Sequence, residues 1–573
     1  FTDPGGSTYF NQLSFFDVSG IEIIKVPGSS LYGAGTGGVM LLKTMDDSIA
    51  TGFSVNYSKG SFNTDNLNMG ATATGNNFSN KISWSHQASN GYRQQSAMRR
   101  DLASWQTIIK AGERQSLTAY VMYGDLFYQT PGGLNRQQYV TDPRAARPAT
   151  ATLPGAVENN AAVYQKTFWA GIQQQYRLDK RWENSTSLYG AYSQVSNSAI
   201  LNYERRKEPH FGGRTTFGYS ARILQTDIKL TTGAEFQQGY FSVDVYKNNG
   251  GFADSIRTDD AIDNRQFSFF TQASLVFPRG WIATAGVSIN KVSVQFSRNS
   301  IVPAFIYNTD YNNEWAPRFS LLKKITPLVS LYAVVAKGFS PPTVSELLPS
   351  TSVINTDLQA EQGTNYEAGA RGGFIRNRLN VDINVFYFRL KNAITQRRDA
   401  SGADYFINAG SIPQKGLEAS VSFQLGVGRD HFISEALLWA SYTYNHFRYN
   451  EFKQGNNDFS GNPVPGIVPH TLAGGIDIAC RPGVYLSLSY FYSDAVPLND
   501  ANLEYGSSYG IPAFRAGYRK QWGRHLITDV FIAGDNLFNE RYSLGNDINA
   551  AGNRYYNTAP EVNYQAGVRF QLL

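Results

Sequence analysis

The alternation of connector lengths constrains this chain most. Apolar and polar residues alternate with period two, the pattern of a strand with unlike faces. In "LNVDINVFY", Leu379, Val381, Ile383, Val385 and Tyr387 share one face, opposite Asn380, Asp382 and Asn384. In "GFSVNYSKG", Phe53, Val55 and Tyr57 oppose Ser54, Asn56 and Ser58. Roughly 22 such segments fit between residues 52 and 572, an even number within the range of outer-membrane barrels. Between them, tight turns such as "TGN" (74–76), "AGER" (111–114), "LDKR" (178–181), "FPRG" (277–280), "RPG" (481–483) and "WGR" (522–524) alternate with long polar stretches. The long set reads as 129–162, 248–263, 299–313, 339–362, 451–469, 496–510 and 538–560. A soluble sandwich does not explain short turns on one side and long loops on the other, whereas a transmembrane barrel does. Closure also leaves no unpaired backbone edge in lipid.

Composition agrees. Aromatics reach 14%, with 35 Tyr and 36 Phe, and only 17% of residues are charged. Interfacial girdles use such aromatics, although they also suit any strand. The single cysteine, Cys480, excludes an internal disulfide and a CxxC metal site. The six histidines are dispersed without H-E-x-x-H spacing, and no Ser/His/Asp constellation stands out. We therefore expect no catalytic residues, no metal site, no resident cofactor and no enzymatic activity. The net charge of +6 comes without a Lys/Arg run, so no nucleic-acid partner is expected. No apolar run is long enough for a transmembrane helix.

The fold expected is all-β: an antiparallel transmembrane β-barrel of roughly 22 strands over residues 48–573, with residues 1–47 as the C-terminal part of a plug. A lumen this wide exceeds what its own side chains fill. Residues 1–47 are too few to close it, and no signal peptide precedes Phe1. A preceding segment is expected to hold the rest of the plug.

Residues 33–38, Gly-Ala-Gly-Thr-Gly-Gly, formally match G-x-G-x-x-G. A dinucleotide site needs the turn directly after a strand, a helix after it and an acid about 20 residues on. Here "PGSSLY" intervenes after "IEIIKV", and the next strand ends at Tyr57 and Ser58 without an acid. The glycines read instead as tight turns and positive φ between packed plug strands.

The stretch "VSGIEIIKVPGSSLYGAGTGGVMLLKT" (18–44) resembles the last plug segment of TonB-dependent outer-membrane receptors of the ferric citrate and siderophore type. "YAVVAKGFSPPTVSELL" (332–348), "NTDLQAEQGTNYEAGARG" (355–372), "INAGSIPQKGLEAS" (407–420), "GNPVPGIVPHTLAGGID" (461–477), "GDNLFNERY" (534–542) and "NRYYNTAPEVNYQAGVRF" (553–570) are similar to later family segments, in order. The resemblance implies a bacterial outer-membrane receptor taking up a ferric chelate, energised by a TonB–ExbB–ExbD complex. It also implies contact with outer-membrane lipid and lipopolysaccharide, and room for a surface lipoprotein. The TonB box is not in this sequence, and Gln571, Leu572 and Leu573 follow Phe570, where the family usually ends on an aromatic residue.

The same resemblance frames the ligand. "FYQTPGGLN" (127–135) and "DPRAARPA" (142–149) are most like ferric citrate-type receptors. Such chelates are anionic, and Arg binds carboxylates through paired hydrogen bonds. Candidate ligand-binding residues are Tyr32, matching a plug-apex position, Gln129, Arg136, Arg205, Arg206 and Arg214. Arg144, Arg147 and Lys207 share these stretches. The arginines are read as loop groups, which serve equally as solvated side chains or partners of lipopolysaccharide phosphates. Gln129 equally suits a turn cap, and His470 reads as structural. Heme receptors commonly place a His near the segments matching 339–342 and 355–358, where none occurs, which lowers that reading without removing it; heme, cobalamin and oligosaccharide receptors, or a non-transporting scaffold within a larger complex, stay open.

Overall fold

The computed structural model describes residues 2–45, 50–349, 353–425 and 431–573. Among them, 22 antiparallel strands form one closed barrel. Each strand pairs with its sequence neighbour in the barrel. The first, Gly52–Gly60, seals against the last, Asn563–Leu572, with Phe53 opposite Leu572 and Gly60 opposite Gln565.

Alternation decides the faces. In Trp182–Ser198, Leu188 and Tyr192 are exposed outward, while Ala191, Ser193 and Val195 are buried on the lumen side. Tyr123, Phe168 and Tyr192 lie in one cross-strand row. Near the turn end, Trp182 packs on Tyr219 with ring centroids 4.7 Å apart. Aromatics thus border an apolar band, as lipid-water interfaces favour.

The tight turns lie on one rim and the long loops on the other, but two expected loops are strands. Thr226–Asn249 and Phe252–Phe277 run 24 and 26 residues and meet at Gly250 and Gly251, both at positive φ. Residues 248–263 are therefore ladder. Likewise Phe305–Lys324 takes up most of 299–313. Crossing the bilayer needs only about 9–11 residues, so the excess stands beyond the lipid. There both faces meet water or loops, and the apolar–polar alternation that marks a strand fades. Residues 402–424 do not form one strand: Ile394–Arg398 pairs with Asp404–Asn408 as a loop hairpin, and the barrel resumes at Ile412–Leu425. Gly410, at φ 69°, separates the two.

Long loops fold back over the mouth because they bury apolar groups there. Leu347 and Leu358 pack on Phe241, Val243, Ile262 and Phe296 of the inner wall. Leu134, Leu498, Tyr555 and Tyr556 form a second cluster joining three loops.

Inside lies the plug segment. Gly20–Ile24 pairs antiparallel with Val39–Lys43, around a one-turn helix, Ser29–Tyr32. A Cβ on Gly38 would stand 2.2 Å from the Ile24 carbonyl oxygen, and Gly33 has φ 76°. The glycine stretch serves close backbone approach, as its context predicts. The boundary expected between residues 47 and 48 lies outside the described residues.

Candidate functional site

The plug segment is held to the wall by polar contacts from many strands. Ser288 Oγ donates to the Ser29 carbonyl at 2.6 Å. Arg214 Nη1 donates to the Leu31 carbonyl at 2.7 Å and to Glu235 at 2.6 Å, and its guanidinium lies 4.3 Å from the Phe270 ring and 5.4 Å from the Tyr32 ring. Lys25 pairs with Glu418. Arg100 donates to the Asn11 and Leu13 carbonyls, and Lys81 to those of Asp17 and Thr44. Near residue 3, Tyr9 Oη donates to Glu208 at 2.8 Å, and Gln266 donates to the Pro4 carbonyl at 2.5 Å. Such contacts can be exchanged for water without exposing backbone to lipid, unlike the barrel ladder.

The six candidates from the sequence do not form one cluster. Arg205, Arg206 and Arg214 are not loop residues; they lie in one continuous strand, Asn202–Ile223. Its lumen-facing side there is polar as well as its outer side, so its extension beyond the lipid carries no apolar signal. Arg205 and Arg206 consequently point to opposite faces. Arg205 faces outward, over the rings of Tyr203 and Tyr246. Arg206 faces the lumen between Glu204 and Glu208, at 3.6 and 3.5 Å. Arg214 clamps the plug, beneath Tyr32. Gln129 ends its strand, and its side-chain carbonyl accepts from the Ala97 N–H at 3.1 Å, a turn cap. Arg136 opens the helix Arg136–Thr141 in the longest loop and reaches Glu504 of another loop at 3.2 Å. His470 packs on the outer wall against Tyr442 and Tyr444.

Two of the cavities bear on the plug and the mouth. One of about 270 Å³ lies among the loops at the mouth, lined by Gly132, Gly133, Arg147, Arg398, Asp404, Asp547 and Arg554, with others. Arg147 donates to the Ser401 and Ala400 carbonyls at 2.5 and 3.0 Å. Arg398 is bound at 2.7 Å by Asp404 and by Asp547. Arg554 donates to Gln138 at 3.2 Å and, among the described residues, has no carboxylate partner. Burial, then proximity to Arg554, pulls the Arg147 guanidinium below its ordinary pKa; burial lowers Arg554 likewise. Burial pushes the Asp547 carboxyl up against the opposing pull of Arg398. Two cations thus share a small, partly desolvated space, and an anion placed between them would relieve the repulsion.

The larger cavity, about 670 Å³, runs between plug and wall. Tyr32 and the glycines from Gly33 to Gly38 border one side, and Gln237, Asn264, Gln266, Ser268 and Asn290 the other. Among the described residues, Asn264 Oδ1, Ser268 Oγ and Asn290 Oδ1 are buried there without a hydrogen-bond partner. A lining of amides and hydroxyls with free valences suits a hydrated, polar passenger.

Sequence reasoning singled out arginines in two stretches and missed Arg398 and Arg554. Arg554 lies in the expected long loop 538–560, within "AAGNRYYN", whereas Arg398, in "ITQRRDASGAD", falls outside every stretch read as a long loop. Their convergence is a product of loop packing, which no local pattern encodes.

Residues 25–537 match the family described as TonB dependent receptor-like, beta-barrel. The metal-pseudopaline receptor CntO of Pseudomonas aeruginosa is 22% identical over 467 residues, 73% of this chain; the alignment spans only 63% of that relative. In architecture the chain is similar to the ferric citrate transporter FecA in its unliganded form, with a TM-score of 0.82 at 16% identity, covering 98% of this chain and 84% of that one. The siderophore receptor PiuA from Acinetobacter baumannii superposes with a TM-score of 0.79 at 15% identity, covering 97% and 86%. Since the family match extends over most of its length, this closed 22-stranded chain belongs to the TonB-dependent receptors of the bacterial outer membrane.

Proposed function

We propose that the protein takes up a ferric chelate, ferric citrate or a siderophore, across the outer membrane, with TonB–ExbB–ExbD supplying the energy. The observation that carries this reading is the pair Arg147 and Arg554 facing one small cavity at the mouth, above a plug held by exchangeable polar contacts. The names of the relatives point the same way. Arginine pairs receive carboxylates with directed hydrogen bonds, and a cavity edged by low-dielectric walls focuses their field. The amide-lined space beside the plug then offers a path to a hydrated chelate.

Within this reading Arg136 stands at the rim, Arg147 and Arg554 contact the ligand first, Arg398, held by Asp404 and Asp547, shapes the cavity beside them, and Tyr32 lies deeper, on the plug. Arg206 and Arg214 are already engaged by carboxylates, so they hold wall and plug together. Arg205 faces away from the lumen and Gln129 caps a turn.

Calorimetric titration with ferric citrate, a ferric hydroxamate, a ferric catecholate, heme and cobalamin tests the reading. One ferric chelate should bind, and Arg147→Gln with Arg554→Gln should weaken it by about tenfold or more, the loss of charged hydrogen bonds. Binding of none of the ferric chelates would refute it.

A further inference from the structure

The sequence holds two Asn-Gly pairs, Asn90–Gly91 and Asn249–Gly250. In such a pair the glycine nitrogen can approach the preceding side-chain carbonyl, because no Cβ stands in the way. The structure sets the two pairs apart. Asn249 ends the strand Thr226–Asn249 at the tip of its hairpin, where it is exposed. Among the described residues no hydrogen bond holds its side chain. Gly250 follows at φ 62°, and its N–H donates to no backbone acceptor among them. The adjoining Asn248 is locked instead. It is buried, its Nδ2 donates to the Ala199 carbonyl at 2.5 Å and to Ser198 Oγ at 3.0 Å, and its Oδ1 accepts from the Gly251 N–H at 2.9 Å. At Asn90–Gly91 the glycine nitrogen is engaged: the Gly91 N–H donates to Ser89 Oγ at 3.1 Å. That backbone is pinned as well, since the Asn90 N–H donates to the Phe62 carbonyl at 2.9 Å, and a Cβ on Gly91 would stand 2.2 Å from the Ser96 carbonyl oxygen.

We propose that Asn249–Gly250 is a self-modifying site, at which the asparagine side chain loses ammonia and becomes a mixture of aspartyl and isoaspartyl links. The Gly250 nitrogen, deprotonated by hydroxide, attacks Asn249 Cγ. The bond from Cγ to the side-chain nitrogen breaks, and that nitrogen leaves as ammonia. Water then opens the cyclic imide. Opening at Cγ restores the ordinary backbone with a carboxylate in place of the amide. Opening at the main-chain carbonyl routes the backbone through the side chain and adds one methylene to the turn.

The place of the turn gives the change a consequence. Gly250 and Gly251 alone join the two strands, and a connection this short fixes their register, so it has no slack for a methylene. Asn160 Nδ2 donates to the Gly250 carbonyl at 2.7 Å, and the Ala156 N–H donates to the Arg147 carbonyl at 3.0 Å. Residues 155–161 therefore lean on the hairpin tip at one end and on the backbone of Arg147 at the other. Conversion loosens that segment and sets a new negative charge beside it.

The test ages the intact protein in detergent at pH 8 in water labelled with heavy oxygen, then digests it with trypsin in ordinary water. Cleavage after Lys247 and Arg257 frees residues 248–257, and cleavage after Lys81 and Arg93 frees 82–93. The 248–257 peptide should show the mass of an amide-to-acid exchange with label incorporated, and should accept methyl groups from an isoaspartyl methyltransferase, severalfold more than 82–93 does. Ageing at pH 6 should slow the change, and N249Q, whose longer side chain closes a ring poorly, should stop it. Hydrogen exchange over 155–161 should rise as the converted fraction grows. An unlabelled 248–257 peptide, equal conversion of the two peptides in the folded protein, or undiminished conversion in N249Q would each overturn the proposal.

Discussion

Arg214 shows how much depends on a single side chain. It bonds the plug backbone at Leu31, the wall carboxylate Glu235 and two aromatic rings. Arg214→Gln keeps a donor but loses the charge, and should loosen plug seating by about 1.5–3 kcal/mol. Hydrogen exchange over residues 20–43 should rise while the barrel ladder stays protected. Asp3 makes the seating pH-dependent. Burial, then the Glu208 charge, pushes its carboxyl from 3.8 up to about 7. The protonated form fits the seated state better, so this contribution is complete below about 3.8 and is lost as pH rises through about 7. Proteolysis near residues 2–13 should therefore be faster at pH 8 than at pH 5, and Asp3→Asn should flatten the difference. Neither role was legible beforehand. The sequence identified Arg214 as an arginine suited to anions, but its partners come from strands and plug far away along the chain.

Loops and strands differ in what they disclose. The strand count was legible because lipid demands apolar alternation over each crossing. The height of Thr226–Asn249 and Phe252–Phe277 was not, since water on both sides imposes no alternation there. The loops interlock through Asp500, which binds Arg397 at 2.5 Å with both side chains at most 6% exposed, and accepts from Tyr449 Oη at 2.7 Å. Removing one member of a buried pair leaves the other charge uncompensated, at a cost of about 3–5 kcal/mol. Asp500→Asn should thus speed hydrogen exchange in 392–411, 448–469 and 494–508 together, because Asp500 ties all three. Exchange confined to 494–508 would show the loops to be independent.

At the scale of the molecule, the lipid-facing band dominates stability. Leu188 is 60% exposed on the outer wall, between Trp182 and Tyr192 on its strand. Leu188→Arg should cost about 2–4 kcal/mol on folding into vesicles, the penalty of a cation near the midplane. A lumen-facing neighbour such as Ser187→Arg should cost far less, and equal losses would misplace the wall. The pairing of Gly52–Gly60 with Asn563–Leu572 has a further consequence. The seam joins the first and last strands of the barrel, so the cylinder cannot become watertight until Asn563–Leu572 has been made. Until then a growing chain has two raw rims that lipid will not accept. Insertion must wait for Asn563–Leu572, and a chain cut off before that strand would keep an open edge that lipid does not tolerate.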